Sequence, residues 1–407
     1  MNSRERIFAA WNGVEADRVP LTTWCFGLPA QDKLKWGDRD YWYSLRMEHI
    51  HTLPQQWTLE DDCRRVLAWR ELGIDDILDV SVPWSIHSAV TWEDNRVPAG
   101  TMDPKYPVQF RDYQTPCGPI RHAIRETGED TGAGWVTQPN QVPLIEDYNI
   151  PRAVKHAVAG PEDVPPMSYL YCPPNDEAKN WFKARMEQVK AFADKENVAV
   201  QAWAGFGMDA VVWFAGTEGA ILLAMDEPEA FGELIGIITK TDLARIELAA
   251  STPGVDMVVA RGWYSSTDLW SPALFDKFVY PYIKSCAEMA HRYGKKFGYT
   301  MTTGVEKLGL RLADAGVDVL YFVDPVQDGL SVEAARDLLG GKMTLVGGMN
   351  SVSLHSGTPE QIRNEVRHAM DVLGPTNRFI LHPVDAIFPD TPWSGIEAMI
   401  EAWKEYH

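Results

Sequence analysis

A histidine and an aspartate near the end of the chain have a spacing that suits proton transfer. The run RFILHPVDAIFPDTPW, residues 378–393, starts with a short apolar stretch, continues with His382 and reaches Asp385 three residues later. The proline-rich loop that follows is typical of the start of a helix. Imidazole and carboxyl groups both act as acid or base catalysts when their surroundings adjust their pKa values. We therefore expect His382 and Asp385 to carry chemistry; the alternative is a hydrogen-bonded core histidine and a helix-capping aspartate.

Further polar and aromatic side chains follow apolar runs elsewhere in the chain. A carboxyl group can protonate a leaving group, a guanidinium can hold a carboxylate or phenolate, and rings can stack on an aromatic substrate. Arg261 could instead pair with a neighbouring acid such as Asp79, and the hydroxyl groups could serve strand-end hydrogen bonding. The further catalytic candidates are Asp79, Arg261 and Tyr299, and the candidates for substrate binding are Trp24, Trp203, Trp263, Tyr264, Thr303 and Asn350.

The elements that must position these residues alternate between strand-like and helical patterns, which is typical of βαβ units and a parallel sheet. Several predicted strands are preceded by the same pattern, in which a helix ends at a glycine and a charged residue comes before the apolar run. Eight such strands fit one α/β fold, a closed (β/α)8 TIM barrel whose strand ends point into the active site. The predicted strands are residues 19–24, 74–80, 198–203, 256–261, 296–300, 318–323, 343–348 and 378–382.

The stretch from about residue 84 to 197 departs from this alternation. It contains alternating runs such as YPVQFRDYQTPCGPIRHAIRE, many prolines, and no clear crossover helix before about residue 180. We interpret it as a β-hairpin insertion after the second strand, beside the barrel mouth, within a single domain that spans residues 1–407.

Composition excludes several classes of partner. The chain has 407 residues and a formal net charge of −19, which argues against binding to nucleic acid or to anionic membrane surfaces. Its five cysteines form no CxxC pair, which fits reduced thiols, and no apolar run has membrane-spanning length. We expect a soluble cytoplasmic protein, and we leave a homodimer open.

Several segments resemble one known family. They are RERIFAAWNGVEADRVP at the start, TPCGPIR and AGPEDVPP in the insertion, and the PDTP run that follows Asp385. Together they resemble the uroporphyrinogen decarboxylase superfamily, which contains porphyrinogen decarboxylases and zinc-dependent corrinoid methyltransferases. The resemblance spans nearly the whole chain and implies the TIM barrel.

The chain departs from both branches at the residues that matter for their chemistry. Met301, Thr303 and Asp385 occupy the positions at which the methyltransferases carry their histidine and cysteine zinc ligands, and these side chains are not usual zinc ligands. The arginine-rich run that binds porphyrinogen carboxylates corresponds to TWCFGLPA, which has no arginine. We therefore expect no zinc at the family position and no turnover of uroporphyrinogen.

The resemblance implies three alternatives for function. The first is a methyltransferase that moves a methyl group from a small methylated donor, such as an aromatic methyl ether, to a corrinoid (cobalamin) supplied by a partner protein, with Asp385 as the acid. The second is a decarboxylase in which Arg261 holds a carboxylate and Asp385 or His382 protonates the product. The third is a non-catalytic ligand-binding barrel. A metal site of oxygen and nitrogen ligands (Asp79, Asp385, His382) also stays open.

Overall fold

The computed structural model of the chain describes residues 1–24, 59–127, 144–145, 150–384, 386–387 and 391–406. The strands in these ranges are β1 Leu78–Ser81, β2 Thr91–Val97, β3 Val108–Thr115, β4 Gly118–Arg125, β5 Ala153–Lys155, β6 Val200–Gly205, β7 Met257–Ala260, β8 Lys296–Thr300, β9 Val319–Val323, β10 Thr344–Asn350 and β11 Phe379–Val384. The helices are α1 Ser3–Asn12, α2 Leu59–Glu71, α3 Val164–Leu170, α4 Asp176–Glu196, α5 Gly207–Ala215, α6 Thr217–Asp226, α7 Pro228–Ser251, α8 Pro272–Leu274, α9 Tyr280–Arg292, α10 Val305–Ala315, α11 Val332–Leu339, α12 Ser351–Ser356, α13 Pro359–Leu373 and α14 Trp393–Lys404.

Seven strands form one parallel sheet in the order β1–β6–β7–β8–β9–β10–β11. The extended segment at Leu21 pairs in parallel with Leu381 of β11. On its other side, the Leu21 carbonyl accepts a hydrogen bond from the amide of Asp75, just before β1, at 2.9 Å. This segment joins the two edge strands, so the fold is the α/β barrel that the sequence predicts. All eight predicted strands contribute, the first as a single-residue bridge.

The helices that connect the parallel strands begin and end at the residues that favour such ends. α10 lies between Gly304 and Gly316, which both adopt the left-handed conformation, with φ of 78° and 97°. α13 begins with a capping box in which Thr358 and Gln361 each accept a hydrogen bond from the other's backbone amide. Such helices bury one apolar face and pack against the outside of the sheet.

The inside of the barrel is filled by apolar side chains from alternate strand positions, including Met257, Val259 and Val319. Ile7 and Trp11 of α1 belong to the same cluster. The Thr344 hydroxyl, at the start of β10, donates to the Ala10 carbonyl at 2.7 Å. α1 therefore covers the amino-terminal end of the barrel, and the carboxyl-terminal end of the strands is the end open to a site.

A second sheet follows β1 and consists of the antiparallel strands β2–β3–β4–β5. β3 and β4 form a hairpin in which Thr115 pairs with Gly118. This is the hairpin-containing sheet predicted after the second strand of the barrel. The crossover helix expected from about residue 180 onward is α4, which ends at Asn197 in the left-handed conformation.

The described residues contain no single helix that is both long and apolar enough to cross a membrane. The short helices α5 and α6 meet the length and composition requirement only as a pair bent by 100°.

Candidate active site

A small cavity of about 20 Å³ lies at the carboxyl-terminal end of the barrel strands. Its floor and walls come from the segment at Leu21, from β1 and its lead-in, and from β6, β9 and β11. The described residues that line it are Thr22, Thr23, Trp24, Asp76, Ile77, Asp79, Gln201, Trp203, Tyr321, Phe322 and His382. The structure thus brings four of the sequence candidates, namely Asp79, His382, Trp24 and Trp203, to one cavity.

The carboxyl group of Asp79 has a fixed orientation. Its Oδ1 accepts hydrogen bonds from Gln201 Nε2 at 2.6 Å and from Trp203 Nε1 at 2.8 Å. The hydroxyl of Tyr321 donates to Gln201 Oε1 at 2.6 Å and so sets the orientation of that amide. Both donors to Asp79 are neutral. Tyr321, Gln201 and Asp79 thus form a series of hydrogen bonds in which each group orients the next.

The carboxyl group of Asp76 lies beside Asp79, and the guanidinium of Arg65 interacts with both. The guanidinium of Arg65 in α2 forms an ion pair with Asp76 and lies 3.8 Å from Asp79 Oδ2. Burial raises the pKa of Asp76 to about 6, with Asp79 contributing in the same direction and Arg65 opposing it. Burial also raises the pKa of Asp79, against the effects of Arg65, Trp203 and Gln201. Two buried acids with one guanidinium leave a site in which protonation is finely balanced.

Aromatic rings form a continuous wall of the cavity and its rim. Trp24 lies 6.0 Å from Trp203, 5.7 Å from Trp263 and 6.2 Å from Phe322, measured between ring centroids. Trp203 and Trp263 are 6.1 Å apart with planes inclined by 18°. The predicted substrate-binding tryptophans are therefore neighbours, and Phe322 of β9 completes the group. We call these four rings the aromatic wall.

His382 lies beside Phe322 of the aromatic wall, in β11, and is 3% exposed. Its Nδ1 is 3.0 Å from the hydroxyl of Thr22, and its ring lies 5.0 Å from that of Phe322. The imidazole is thus held between a hydroxyl and a ring, and it lines the cavity. Asp385, its predicted partner, lies outside the described residues, and its role stays a prediction.

Arg261 follows β7 and is buried, with an ion pair to Asp209 of α5 at 2.9 Å. Its guanidinium also lies over the ring of Trp263, at 4.5 Å. The amide of Tyr264 donates to the other oxygen of Asp209 at 3.1 Å. The acid that pairs with Arg261 is therefore Asp209 rather than Asp79. The carboxylate of Asp209 already neutralises the guanidinium of Arg261, which a substrate carboxylate would need as its partner.

Three further candidates lie away from the lining of the cavity. Tyr299 is fully buried in the layer between sheet and helices, and burial raises the pKa of its hydroxyl far above the usual value. The Thr303 hydroxyl donates to Asp268 Oδ2 at 2.6 Å. Asn350 caps α12, where its Oδ1 accepts from the amide of Val352 at 2.7 Å. The structure therefore does not bring these three residues to the cavity, and their predicted roles stay predictions.

The zinc positions of the superfamily do not suit zinc in the described part of the chain. Met301 is fully buried in the apolar core, and the hydroxyl of Thr303 is committed to Asp268. No three His, Cys, Asp or Glu side chains approach one another as metal ligands within the described ranges. Because Asp385 lies outside them, the absence of zinc stays a prediction.

Sequence reasoning missed Asp76, Arg65 and Phe322. Asp76 belongs to a pair of acids inside an apolar run, IDDILDV, and a charged residue in such a run signals a buried partner. Arg65 and Phe322 have no comparable signal, since an arginine in a helix and a phenylalanine in a strand are both ordinary.

Comparison with known proteins finds a family match for the second half of the chain and a fold match for all of it. Residues 214–406 match the family model described as uroporphyrinogen decarboxylase (URO-D). Among solved structures, a methyltransferase from Methanosarcina mazei superposes with a TM-score of 0.58 at 17% sequence identity, over 100% of this chain and 99% of that one. A 3-keto-D-glucoside 4-epimerase from E. coli gives a TM-score of 0.35 at 14% identity, over 56% of this chain and 86% of that one. No curated protein matches the chain in sequence.

The family match covers the second half of the barrel, from the end of α5 to the end of α14. The structural match extends the same fold over the remaining strands and the insertion. Residues 214–406 thus resemble the uroporphyrinogen decarboxylase family in sequence, and the whole chain shares its fold with the methyltransferase from Methanosarcina mazei.

Proposed function

We propose that this chain is the methyltransferase component of a corrinoid-dependent system. It takes a methyl group from a small methylated donor and transfers it to the corrinoid of a partner protein. The observation that carries the proposal is the cavity at the carboxyl end of the strands, which combines the aromatic wall with the carboxyl group of Asp79. The end-to-end likeness in fold to the methyltransferase from Methanosarcina mazei supports it.

The residues of this chain would bind and orient the donor and exclude water. The aromatic wall offers apolar faces to the methyl group, and its neighbour His382 offers a ring nitrogen near the donor's remaining atoms. The corrinoid of the partner protein would supply the nucleophile that accepts the methyl group. The proposed reaction has no zinc-dependent step, because the side chains of Met301 and Thr303 do not fit zinc.

An aromatic methyl ether is the donor that the sequence favours. An ether oxygen is a poor leaving group unless it is protonated or bound to a Lewis acid, so a site without zinc needs an acid for this donor. Asp385 is the acid proposed from the sequence. Asp79 is a second choice, since burial raises its pKa.

The decarboxylase alternative has less support than methyl transfer. It requires Arg261 to hold a substrate carboxylate, whereas the Arg261 guanidinium pairs with buried Asp209. The described residues that line the cavity include no lysine and no arginine.

Methyl transfer to reduced free cobalamin tests the proposal. The purified chain is incubated with reduced cobalamin and a panel of methyl ethers and methylated onium ions. The corrinoid absorbance and the demethylated product are followed together. We expect stoichiometric loss of reduced cobalamin with at least one donor. Release of carbon dioxide from a small acid, without any methyl transfer, would contradict the proposal and favour a decarboxylase.

A further inference from the structure

We infer that His122 and His156 form a binding site for one cuprous ion, Cu(I), held between the Nδ1 atoms of the two imidazoles. Neither histidine lines the cavity at the carboxyl end of the barrel strands, so the site is independent of the proposed function. The inference follows from the ring nitrogens that lack a partner, the distance between the rings, and the charges around them.

The strand pairing of the second sheet places the two imidazoles side by side. β4 and β5 are antiparallel, and Ala123 pairs with Lys155. His122 and His156 are the next residues along the two chains, and their ring centroids are 6.3 Å apart. His122 is 2% exposed, whereas His156 is half-buried. An ion from the solvent therefore reaches the pair on the side of His156.

Both rings carry a nitrogen atom that has no partner. Nδ1 of His122 and Nδ1 of His156 are buried, and neither forms a hydrogen bond with any of the described residues. Buried nitrogen atoms are rarely left unpaired, because nothing then compensates for the loss of their hydration. Two such atoms on neighbouring side chains indicate one shared partner.

Backbone carbonyls orient both rings for metal binding. The Lys155 carbonyl accepts a hydrogen bond from the ring of His122, and the Trp213 carbonyl accepts one from the ring of His156. Nε2 of His156 packs at Gly216, where a Cβ would clash with it. The ring protons therefore lie on Nε2, and each Nδ1 keeps a free lone pair. Metal-binding histidines commonly have such an acceptor at the second nitrogen, because it fixes the tautomer and makes the ligand more basic.

The distance between the rings matches an ion with two ligands in a line. With a metal–nitrogen distance of about 2.0 Å and about 1.1 Å from nitrogen to ring centre, two imidazoles on opposite sides of one ion have centroids about 6.2 Å apart. The observed distance is 6.3 Å. A tetrahedral ion such as zinc would need centroids about 5 Å apart and two further ligands. Cu(I) binds two ligands in a line, and imidazole is a ligand that suits copper.

The surroundings of the two rings favour an ion with few ligands. Both Nδ1 atoms are shielded from solvent, so water does not complete a larger coordination shell. Within the described ranges, no third His, Cys, Asp or Glu side chain joins the pair as a ligand. A doubly charged ion would therefore be buried without a carboxylate to offset its second charge, which is costly.

The nearby charges and dipoles are compatible with a single positive charge. Arg111 acts on His122, but its guanidinium is paired with Asp94 through hydrogen bonds of 2.6 and 2.7 Å. Trp213 lies in the last turn of α5, where the helix dipole favours a cation. Burial lowers the pKa of both imidazoles, so they are neutral, as metal ligands must be.

Competition with bicinchoninate, a coloured chelator of Cu(I), measures the binding under anaerobic conditions. The metal-free chain is first treated with iodoacetamide, because its accessible free cysteines would otherwise supply sulfur ligands. We expect the chain to withdraw one equivalent of Cu(I) from the chelator. Zinc, added in place of Cu(I), should not bind at the pair.

Three variants locate the ion. His122→Gln and His156→Gln should each weaken the binding by about 100-fold or more, since each removes one of two ligands and even a partner behind a ligand contributes about 10- to 100-fold. His368→Gln removes an exposed histidine that lies 2.9 Å from Glu333, and it should bind Cu(I) like the parent chain.

X-ray absorption of the parent chain with one equivalent of Cu(I) identifies the ligands, and it decides the matter even if neither site variant folds. We expect two nitrogen ligands in a line and no sulfur ligand. Equal binding of Cu(I) by the parent chain and both site variants, a sulfur ligand in the parent chain, or zinc held by both histidines overturns the inference. Methyl transfer is measured separately, so its failure would overturn the proposed function and leave the copper site standing.

Discussion

The ion pair and hydrogen bonds around Asp79 decide what its carboxyl group can do. Gln201 and Trp203 donate to one oxygen, and Arg65 lies 3.8 Å from the other. These partners stabilise a carboxylate, while burial favours the neutral acid. The balance makes Asp79 sensitive to the charge of whatever enters the cavity. An incoming cation would favour ionisation and an uncharged ether would not.

Asp385→Asn distinguishes the two classes of donor at the level of one side chain. With a methoxybenzene donor, loss of a positioned acid should slow the chemical step by about 10²- to 10⁴-fold. With a trimethylated onium donor the step needs no proton, and turnover should stay close to that of the parent chain. Single-turnover methyl transfer with both donors measures the difference.

The melting temperature of the same variant provides the control. If Asp385 is only a helix cap, its loss should lower stability by about 1 kcal/mol with near-normal turnover for either donor. Equal loss of turnover with both donors would contradict a role in proton donation.

At the scale of elements, α7 holds together the loops that carry the cavity. Asp242 accepts hydrogen bonds from the amides of Phe206 and Gly207, directly after β6, at 2.8 and 2.9 Å. Arg245, one turn later, donates twice to the carbonyl of Val82 after β1, at 3.0 and 2.8 Å. Both side chains are fully buried and lie 3.2 Å apart. The pair thus fixes the ends of two neighbouring strands.

Breaking this pair should be costly, because it leaves an uncompensated charge in the interior. We expect Asp242→Leu to lower the free energy of unfolding by about 3–5 kcal/mol. The double variant Asp242→Leu with Arg245→Met should be less destabilised than the single one, since no lone charge remains. Urea unfolding of both measures the difference.

The exposed pair of Arg363 and Glu401, at 2.7 Å, is the matched control. Arg363→Met should cost less than about 1 kcal/mol. A double variant that is less stable than Asp242→Leu alone would show that the two charges do not depend on each other.

The barrel strands were predictable because each is an apolar run after a glycine or a charged residue, a local signal. β1 nevertheless starts at Leu78 instead of residue 74, because Asp75 and Asp76 form ion pairs with Arg6 and Arg65. The site was less predictable because its pairings are long-range. Arg261 meets Asp209, 52 positions earlier in the chain, and spacing along the sequence carries no signal for such a contact.

At the scale of the whole molecule, a buried histidine in the second sheet makes the stability of the fold depend on pH. His122 of β4 is 2% exposed, and its Nδ1 has no hydrogen-bond partner among the described residues. The ring of His156 lies 6.3 Å away. Burial, with this neighbour, lowers the pKa of His122 to about 3. The folded chain therefore keeps this imidazole neutral in mild acid.

This lowered pKa predicts a loss of stability on acidification. The unfolded histidine takes up a proton near pH 6.5 and the folded one near pH 3, so the unfolded chain is favoured as the pH falls between these values. The contribution of His122 should approach about 1.4 kcal/mol per pH unit. Urea unfolding of the parent chain and of His122→Gln, between pH 6.5 and 4.5, isolates it, since other groups titrate in both. Parallel curves for the two proteins would show that His122 is not the group responsible.

The narrow join of the barrel has a consequence for how the molecule moves. The segment at Leu21 connects β11 to β1 through one bridge and few backbone hydrogen bonds, and the next residues, Thr22, Thr23 and Trp24, line the cavity. A guest that touches these residues together with Asp79 and His382 spans the join from both sides. Occupancy and closure of the barrel then become one linked equilibrium. We therefore expect a bound ligand to slow amide hydrogen exchange at this join, because it would tie the first and last strands of the barrel together.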